Sequence, residues 1–429
     1  MSSDNPEPCS RNVLVLSPYA GCIGHLANRR ASRFCRWLTE AGFNVTLVGA
    51  LKDHHPEIDH KPIPYIYVRN PLHAVLQSQP VKTGAKRGIK SLGARYLLIP
   101  DGSMVWSIAC ALNASVRLAA QRSSLIVSTS PPESPHLTGL FLSRLTGVPH
   151  VVDLRDGWTD EPLKRQITES RVRRWIETLM ERAVLANAAL VLVTSKEWKE
   201  LLLARIPRIH SKTHVLTNAY SGHGNLMRKP LGKAHDLPRL VYTGKLGLSR
   251  ANQDLEALVS LLTCEASMST KPFEVKFVGE LQAREIERLE YLANAIKEYG
   301  WKVTMTGNLS ETQSQMECAT AAGLLLLSVS HAALPSKLFD YMATGLPILA
   351  MSPVGSATWN ICRQLPQAWQ VDLDGRPQSG LWPSFVKFVQ SQPKGLIPAE
   401  FQEDAIGKRF TGILETVLQL PTNQTNAPK

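Results

Sequence analysis

Residues 324–351 read LLLLSVSHAALPSKLFDYMATGLPILAM. Two apolar runs, Leu324–Val329 and Pro347–Met351, bracket a stretch that starts at a proline and ends at a glycine. An apolar run without alternation is how a parallel strand covered on both faces reads. Pro335 suits the first turn of a helix, Gly345 its end, and Pro347 stops it. The segment is therefore strand–helix–strand, the unit of a parallel α/β sheet. The helix start follows the carboxyl end of a strand, so its free amides form a ready site for a pyrophosphate. Asp340 lies about one turn further in, where a carboxylate can accept hydrogen bonds from ribose hydroxyls. Taken alone, Lys337 and Asp340 read equally well as an i,i+3 surface ion pair.

The same rhythm extends in both directions. Strands are expected at Leu240–Thr243, Glu274–Val278, Lys302–Met305 and Gln370–Asp372, with helices near 281–298 and 310–321. Upstream, strands are expected at Asn12–Ser17, Val45–Gly49, Leu125–Ser128, His150–Asp153 and Leu190–Thr194. A loop with Gly21 and Gly24 follows the first strand, and Ala27, Ala31, Phe34 and Leu38 then share one helix face. The stretch 218–238 is polar, glycine-rich and proline-containing, as linkers are. The expected division is 1–217 for a first Rossmann-like domain, 218–238 for the linker and 239–398 for a second. A helix over 399–420 returns to the first domain, and 421–429 is an unstructured tail. Two doubly wound domains joined in this way face a cleft at the carboxyl ends of their strands.

A second phosphate-type element opens the second half, YTGKLGLSR over 242–250. Lys245 and Arg250 emerge from a strand end and its loop, where Gly244 and Gly247 let a ligand approach the backbone. Two cations there can neutralise a departing diphosphate; singly, each reads as a solvated loop charge.

The 429 residues suffice for two domains, and 44% hydrophobic with 20% charged residues excludes collagen, wholesale disorder and small disulfide scaffolds. Seven cysteines stand singly, without CxxC pairs, against a structural zinc site and in keeping with a reducing compartment. The longest weakly polar run, Ala183–Thr194, is about 12 residues, short of the roughly 20 that span a bilayer. The expected location is the cytoplasm, with the inner face of a membrane as the alternative station. Residues 1–215 hold 28 Lys and Arg against 17 Asp and Glu, whereas 216–429 hold 20 against 19. The basic first half fits an anionic partner.

These motifs resemble glycosyltransferases of the GT-B fold, in particular the retaining group known as glycosyltransferase family 4. PSKLFDYMATGLPILA is similar to that group's SKLFEY variant of the glutamate-x7-glutamate motif, and YTGKLGLSR to its glycine-arginine…lysine loop with the two cations exchanged in type. LSPYAGCIGHLANRRASRFCRWLTEAGFNVTLVGA resembles its opening strand, glycine loop and helix. VSTSPPESPHLTGLFLSRLTGVPHVVDLRDGW is similar to its acceptor-domain core, and IPDGSMVW to a segment of some members. The resemblance runs from about residue 12 to 415.

It implies a donor site of Gly21, Gly24, Gly244, Lys245, Arg250, Pro335, Ser336, Lys337, Leu338 and Asp340. The ribose-binding glutamate of the motif falls on Asp340, and its first glutamate falls on Ala332, where no carboxylate stands. The family's histidine-aspartate pair falls on Arg155 and Asp156. Asp156 is thus the candidate for contacting the acceptor hydroxyl, while a salt-bridged loop with Asp153 and Asp156 around Arg155 is the structural alternative. His136 is a further acceptor-side candidate, with a core or capping role as its alternative. The implied reaction moves a sugar from a nucleotide diphosphate sugar to a hydroxyl with retention. Lys245, Arg250 and Asp156 carry the chemistry, and neither a metal nor a resident cofactor is implied. The acceptor is a glycan or lipid-linked molecule of cell-envelope, exopolysaccharide or glycolipid synthesis. Basic clusters at 82–95 and 164–174 offer peripheral contact with anionic membrane, and no nucleic acid is expected. A nucleotide-sugar 2-epimerase and a non-catalytic binding protein on the same fold are the alternatives.

Overall fold

The computed structural model describes residues 11–20, 26–52, 57–58, 61–70, 98–160, 170–220, 237–246, 253–268, 272–374, 381–391 and 398–419. Gly21 and Gly24, the basic run 82–95, Lys164 and Arg165, residues 221–236 of the linker, Arg250 and the tail 421–429 lie outside these.

Seven parallel strands make the first sheet: β1 (Asn12–Leu16), β2 (Asn44–Gly49), β3 (Tyr65–Tyr67), β4 (Leu125–Ser130), β5 (His150–Leu154), β6 (Leu190–Val193) and β7 (Thr213–Val215). Their order is β3-β2-β1-β4-β5-β6-β7. Six more make the second: β8 (Arg239–Thr243), β9 (Glu274–Val278), β10 (Lys302–Met305), β11 (Gly323–Leu327), β12 (Ile348–Ser352) and β13 (Ala368–Asp372). They are ordered β10-β9-β8-β11-β12-β13 and are again all parallel. Each sheet is doubly wound. Its strand order reverses between β1 and β4 in the first and between β8 and β11 in the second, and ligands enter such sheets outside the strand carboxyl ends at that reversal.

Helices α1 (Leu26–Glu40), α2 (Met104–Leu112), α3 (Ala114–Gln121), α4 (Ser134–Thr146), α5 (Arg171–Asn187) and α6 (Lys196–Arg205) accompany the first sheet. Helices α7 (Gln253–Met268), α8 (Ala283–Ile296), α9 (Glu311–Ala319), α10 (Ser336–Thr344), α11 (Ala357–Cys362) and α12 (Leu381–Gln390) accompany the second, and α13 (Glu403–Leu418) closes the chain.

The unbroken leucines of β11 have a simple cause. Leu325 and Leu327 face one apolar layer with Phe277, Leu258, Leu292 and Trp382, while Leu324 and Leu326 face another with Leu338, Phe339, Tyr341 and Met342. Both faces are covered, so neither set of alternating positions tolerates a polar side chain. Gly345 ends α10 at φ +63°, the left-handed conformation that glycine adopts without strain.

The chain divides into two compact units. One comprises the sequence up to Thr194, Trp198–Leu216 and everything from Ile406; the other comprises Ser195–Glu197 and Thr217–Ala405. The entry to the second unit and the exit from it run side by side, Tyr220 N donating to Phe401 O at 3.1 Å. Phe401 sets its ring edge-on to Phe339 at 5.7 Å, which keeps the turn before α13 with the second core. Within the first unit Phe410 of α13 stacks on Phe34 at 4.4 Å and lies beside Trp37.

Candidate functional site

In the second unit the carboxyl ends of β8 and β11 carry the motif residues. Gly244 directly follows β8 at φ +91°, its N–H donating to Val278 O at 2.8 Å. A side chain on Gly279, itself at φ +140°, would sit 2.6 Å from Gly244 O, so two glycines let neighbouring strand ends close up. Lys337, on the first turn of α10, reaches back over the face of Tyr242 at 3.7 Å, a cation–π contact. A β-carbon on Gly244 would lie 3.6 Å from its Nζ, so Lys337 overhangs the loop that follows β8. Tyr341, one helical turn on, accepts from Thr243 N at 2.8 Å. Burial pushes its phenol well above the usual range, and the neutral hydroxyl pins α10 to the end of β8.

Lys245 Nζ pairs with Glu280 Oε2 at 2.7 Å, both side chains more than half exposed. Such a pair is weak and readily exchanges one anion for another. Pro335 caps α10 without a side-chain hydrogen bond. Ser336 is half-buried, Leu338 is buried in the core and Asp340 is exposed. Of the implied donor residues, Pro335, Ser336, Lys337 and Gly244 therefore share one strand-end region with Lys245. Leu338 serves packing, and Ala332 is buried, its N–H directed at Ser330 Oγ.

In the first unit Arg155 Nη2 pairs with Asp156 Oδ2 at 3.1 Å, while Arg155 O accepts from Thr194 Oγ1. Asp153 does not join that loop pair. It is fully buried and takes a bidentate pair from Arg30 at 2.6 and 2.7 Å, with Thr129 Oγ1 donating at 2.7 Å. Arg30 also donates to Leu216 O at 3.0 Å, tying α1, β4, β5 and the residue after β7 together. Only the fork of an arginine serves both carboxylate oxygens and a carbonyl at once.

His136 is buried. Its Nδ1 lies 2.6 Å from Ser128 Oγ, and the same oxygen lies 2.7 Å from His150 Nε2. Asp156, by contrast, is about a third exposed and borders a cavity of about 10 Å³ with Gly157, Trp158, Asp160 and Trp198. Neither Arg30 nor the Ser128–His150 contact was foreseen in the sequence; the one signal was a basic residue on the inner side of α1. Among the described residues no group of three or more His, Cys, Asp or Glu is placed to hold a metal ion, and no helix is long and apolar enough to cross a membrane.

Residues 27–219 match the family model of the glycosyl transferase 4-like domain. Sucrose-phosphate synthase from Thermosynechococcus elongatus aligns over 95% of this chain and 98% of its own at TM-score 0.64 and 14% identity. The chain has the GT-B fold. An Escherichia coli trehalose-6-phosphate structure bound with UDP-2-fluoro glucose aligns with this GT-B chain over 96% of it and 99% of that chain (TM-score 0.62, 10% identity). HepE from Anabaena, in complex with UDP and glucose, covers 94% and 99% at TM-score 0.55 and 14% identity. No curated protein matches the sequence.

Proposed function

We propose that this chain is a retaining glycosyltransferase that takes its sugar from a nucleotide diphosphate sugar. One observation carries the reading. At the strand reversal of the second sheet, Gly244, Lys245, Lys337 and the uncapped start of α10 converge on a region with the chemistry of a diphosphate site. The match of residues 27–219 to a glycosyl transferase 4-like domain, and structural neighbours solved with UDP and with a UDP-sugar analogue, support it.

In this reading Asp340 holds the ribose. Lys245, Arg250 and the first amides of α10 stabilise the negative charge that grows on the departing diphosphate. The bond from the anomeric carbon to phosphate oxygen breaks as the acceptor oxygen bonds to the same face. The acceptor proton passes to the departing phosphate oxygen, with Asp156 contacting the acceptor hydroxyl. Positioning and charge stabilisation supply the rate, and the positive charge comes from side chains and amides. The acceptor is a glycan or lipid-linked molecule of envelope or exopolysaccharide synthesis, which the basic first half suits.

A thermal-shift screen against UDP, GDP, ADP, dTDP and CMP tests the donor assignment, because a ligand bound only by the folded chain raises its melting temperature. One nucleotide raises it, and the rise disappears in Asp340→Ala and in Lys337→Ala. If none of the five shifts the wild type, the donor reading falls.

A further inference from the structure

Three helices of the first unit turn apolar side chains toward water. Leu112 of α2, Phe141 and Leu145 of α4, and Val172, Trp175 and Leu179 of α5 are all exposed, Leu112 and Val172 at 66% and Trp175 at 63%. On α5 the spacing of three and four puts Val172, Trp175 and Leu179 on one face. Its two glutamates are on the other: Glu177 is buried against Arg173 at 2.7 Å, and Glu181 is buried against Arg205 at 2.9 Å. The helix thus buries Val184 and Leu185 together with both glutamates and still leaves a second apolar stripe facing outward.

Arginines border the apolar side chains. Arg171 and Arg182 flank the α5 stripe, Arg174 stands in the first turn of the helix, and all three are exposed. On α4, Arg144 is exposed and donates to Asn187 at the end of α5 at 3.2 Å, joining the two helices. Arg117 of α3 lies over the ring of Phe141 at 5.6 Å. From Met104 to Thr146 the only carboxylate is Glu133, which is buried. Among the described residues of α2–α5 no Asp or Glu is exposed.

We propose that this face, centred on α4 and α5, seats on an anionic lipid bilayer. Exposed tryptophan and leucine enter the headgroup boundary while flanking arginines meet lipid phosphates. The charge pattern selects that occupant over a second copy of the chain. An isologous dimer through this face sets arginine against arginine, with no exposed carboxylate among the described residues of α2–α5 to answer them. The proposal is independent of the donor site and carries the contact from the basic cluster 164–174, which includes Arg171 and Arg174, onto the apolar face of α4 and α5.

Sedimentation of the full chain with phosphatidylglycerol–phosphatidylcholine vesicles, against phosphatidylcholine alone, tests it. The chain partitions to the anionic vesicles, salt weakens the binding, and lipids brominated near the headgroup quench Trp175. Replacing Arg171, Arg174 and Arg182 together by Gln lowers partitioning on the order of 100-fold, since each such charge contributes about five-fold. Trp175→Ser with Leu179→Ser also lowers it, and removes the quenching. Both variants keep the wild-type circular dichroism and nucleotide response, so a failed donor assignment leaves this test standing. Equal binding to neutral vesicles, no binding to either, or a concentration-dependent dimer abolished by the Trp175 and Leu179 changes overturns the proposal.

Discussion

Ser128 Oγ stands between two imidazoles, and a hydroxyl has one proton to give. At most one ring can accept that proton, so at least one ring presents an N–H to Ser128, and the tautomers of His136 and His150 are set jointly. Burial pushes the imidazolium of His150 down to about 3 from an ordinary value near 6.5. Between those two values the unfolded chain binds a proton that the folded chain does not. Stability is therefore level above pH 6.5 and falls on acidification, by about 1.4 kcal/mol per pH unit for this one group. His214, lowered by burial with Lys199 and Arg409 nearby, acts in the same direction. The check is melting temperature between pH 5 and 7.5 in the wild type and in His150→Gln. The variant is less stable at neutral pH but has the shallower acid slope; equal slopes would exclude His150 as the titrating group. Gly139 belongs to the same arrangement, because a side chain there runs into the His150 ring. Gly139→Ala therefore destabilises by about 1–3 kcal/mol, where an exposed helical site would gain.

At the scale of elements, α4 and α10 both follow a strand carboxyl end but meet different partners. The first amides of α4 are taken by the chain itself: Asp101 Oδ2 accepts from Glu133 N and Ser134 N at 2.8 and 2.9 Å, and Oδ1 accepts from Ser134 Oγ at 2.7 Å. Pro335 gives α10 no such side-chain cap. One helix start is closed by the chain itself, and the other, which has no side-chain cap, is the one proposed to meet a diphosphate. Asp101→Ala costs about 1–2 kcal/mol, read as a melting temperature lower by about 3–8 °C, with Asp101→Asn between it and the wild type. The contrast also marks what was legible in the sequence. Pro335, Gly345 and Pro347 act on the backbone where they stand, so the ends of α10 could be read directly. Asp101 caps a helix some thirty positions on, and Arg30 meets Asp153 across 123 positions; no local pattern encodes either. The edge strands β3 and β7, three residues each, and the helices α2 and α3 were missed for a related reason. Their identity comes from the neighbours they pack on.

At the scale of the whole molecule, chain order and core membership part company at the last helix. The sheet of the second unit is complete by Asp372, and the turn at Phe401 still packs on Phe339. From Ile406 onward, however, the chain belongs to the first unit, where Phe410 is fully buried against Phe34. A residue near the end of the sequence therefore stabilises the unit in which the sequence begins. Removing its ring leaves a cavity beside Phe34 and Trp37, and Phe→Ala changes in such positions cost about 3–5 kcal/mol. In a unit of this size that lowers the melting temperature by roughly 10 °C. Calorimetry of the full chain with and without the stabilising nucleotide separates the two cores. Nucleotide raises the transition of the second unit, because only that unit carries the proposed diphosphate site. Phe410→Ala lowers the other transition and leaves the nucleotide-dependent one in place. If the substitution instead lowers the nucleotide-dependent transition, or moves both equally, α13 stabilises the two units together and the assignment of its apolar face to the first core alone is wrong.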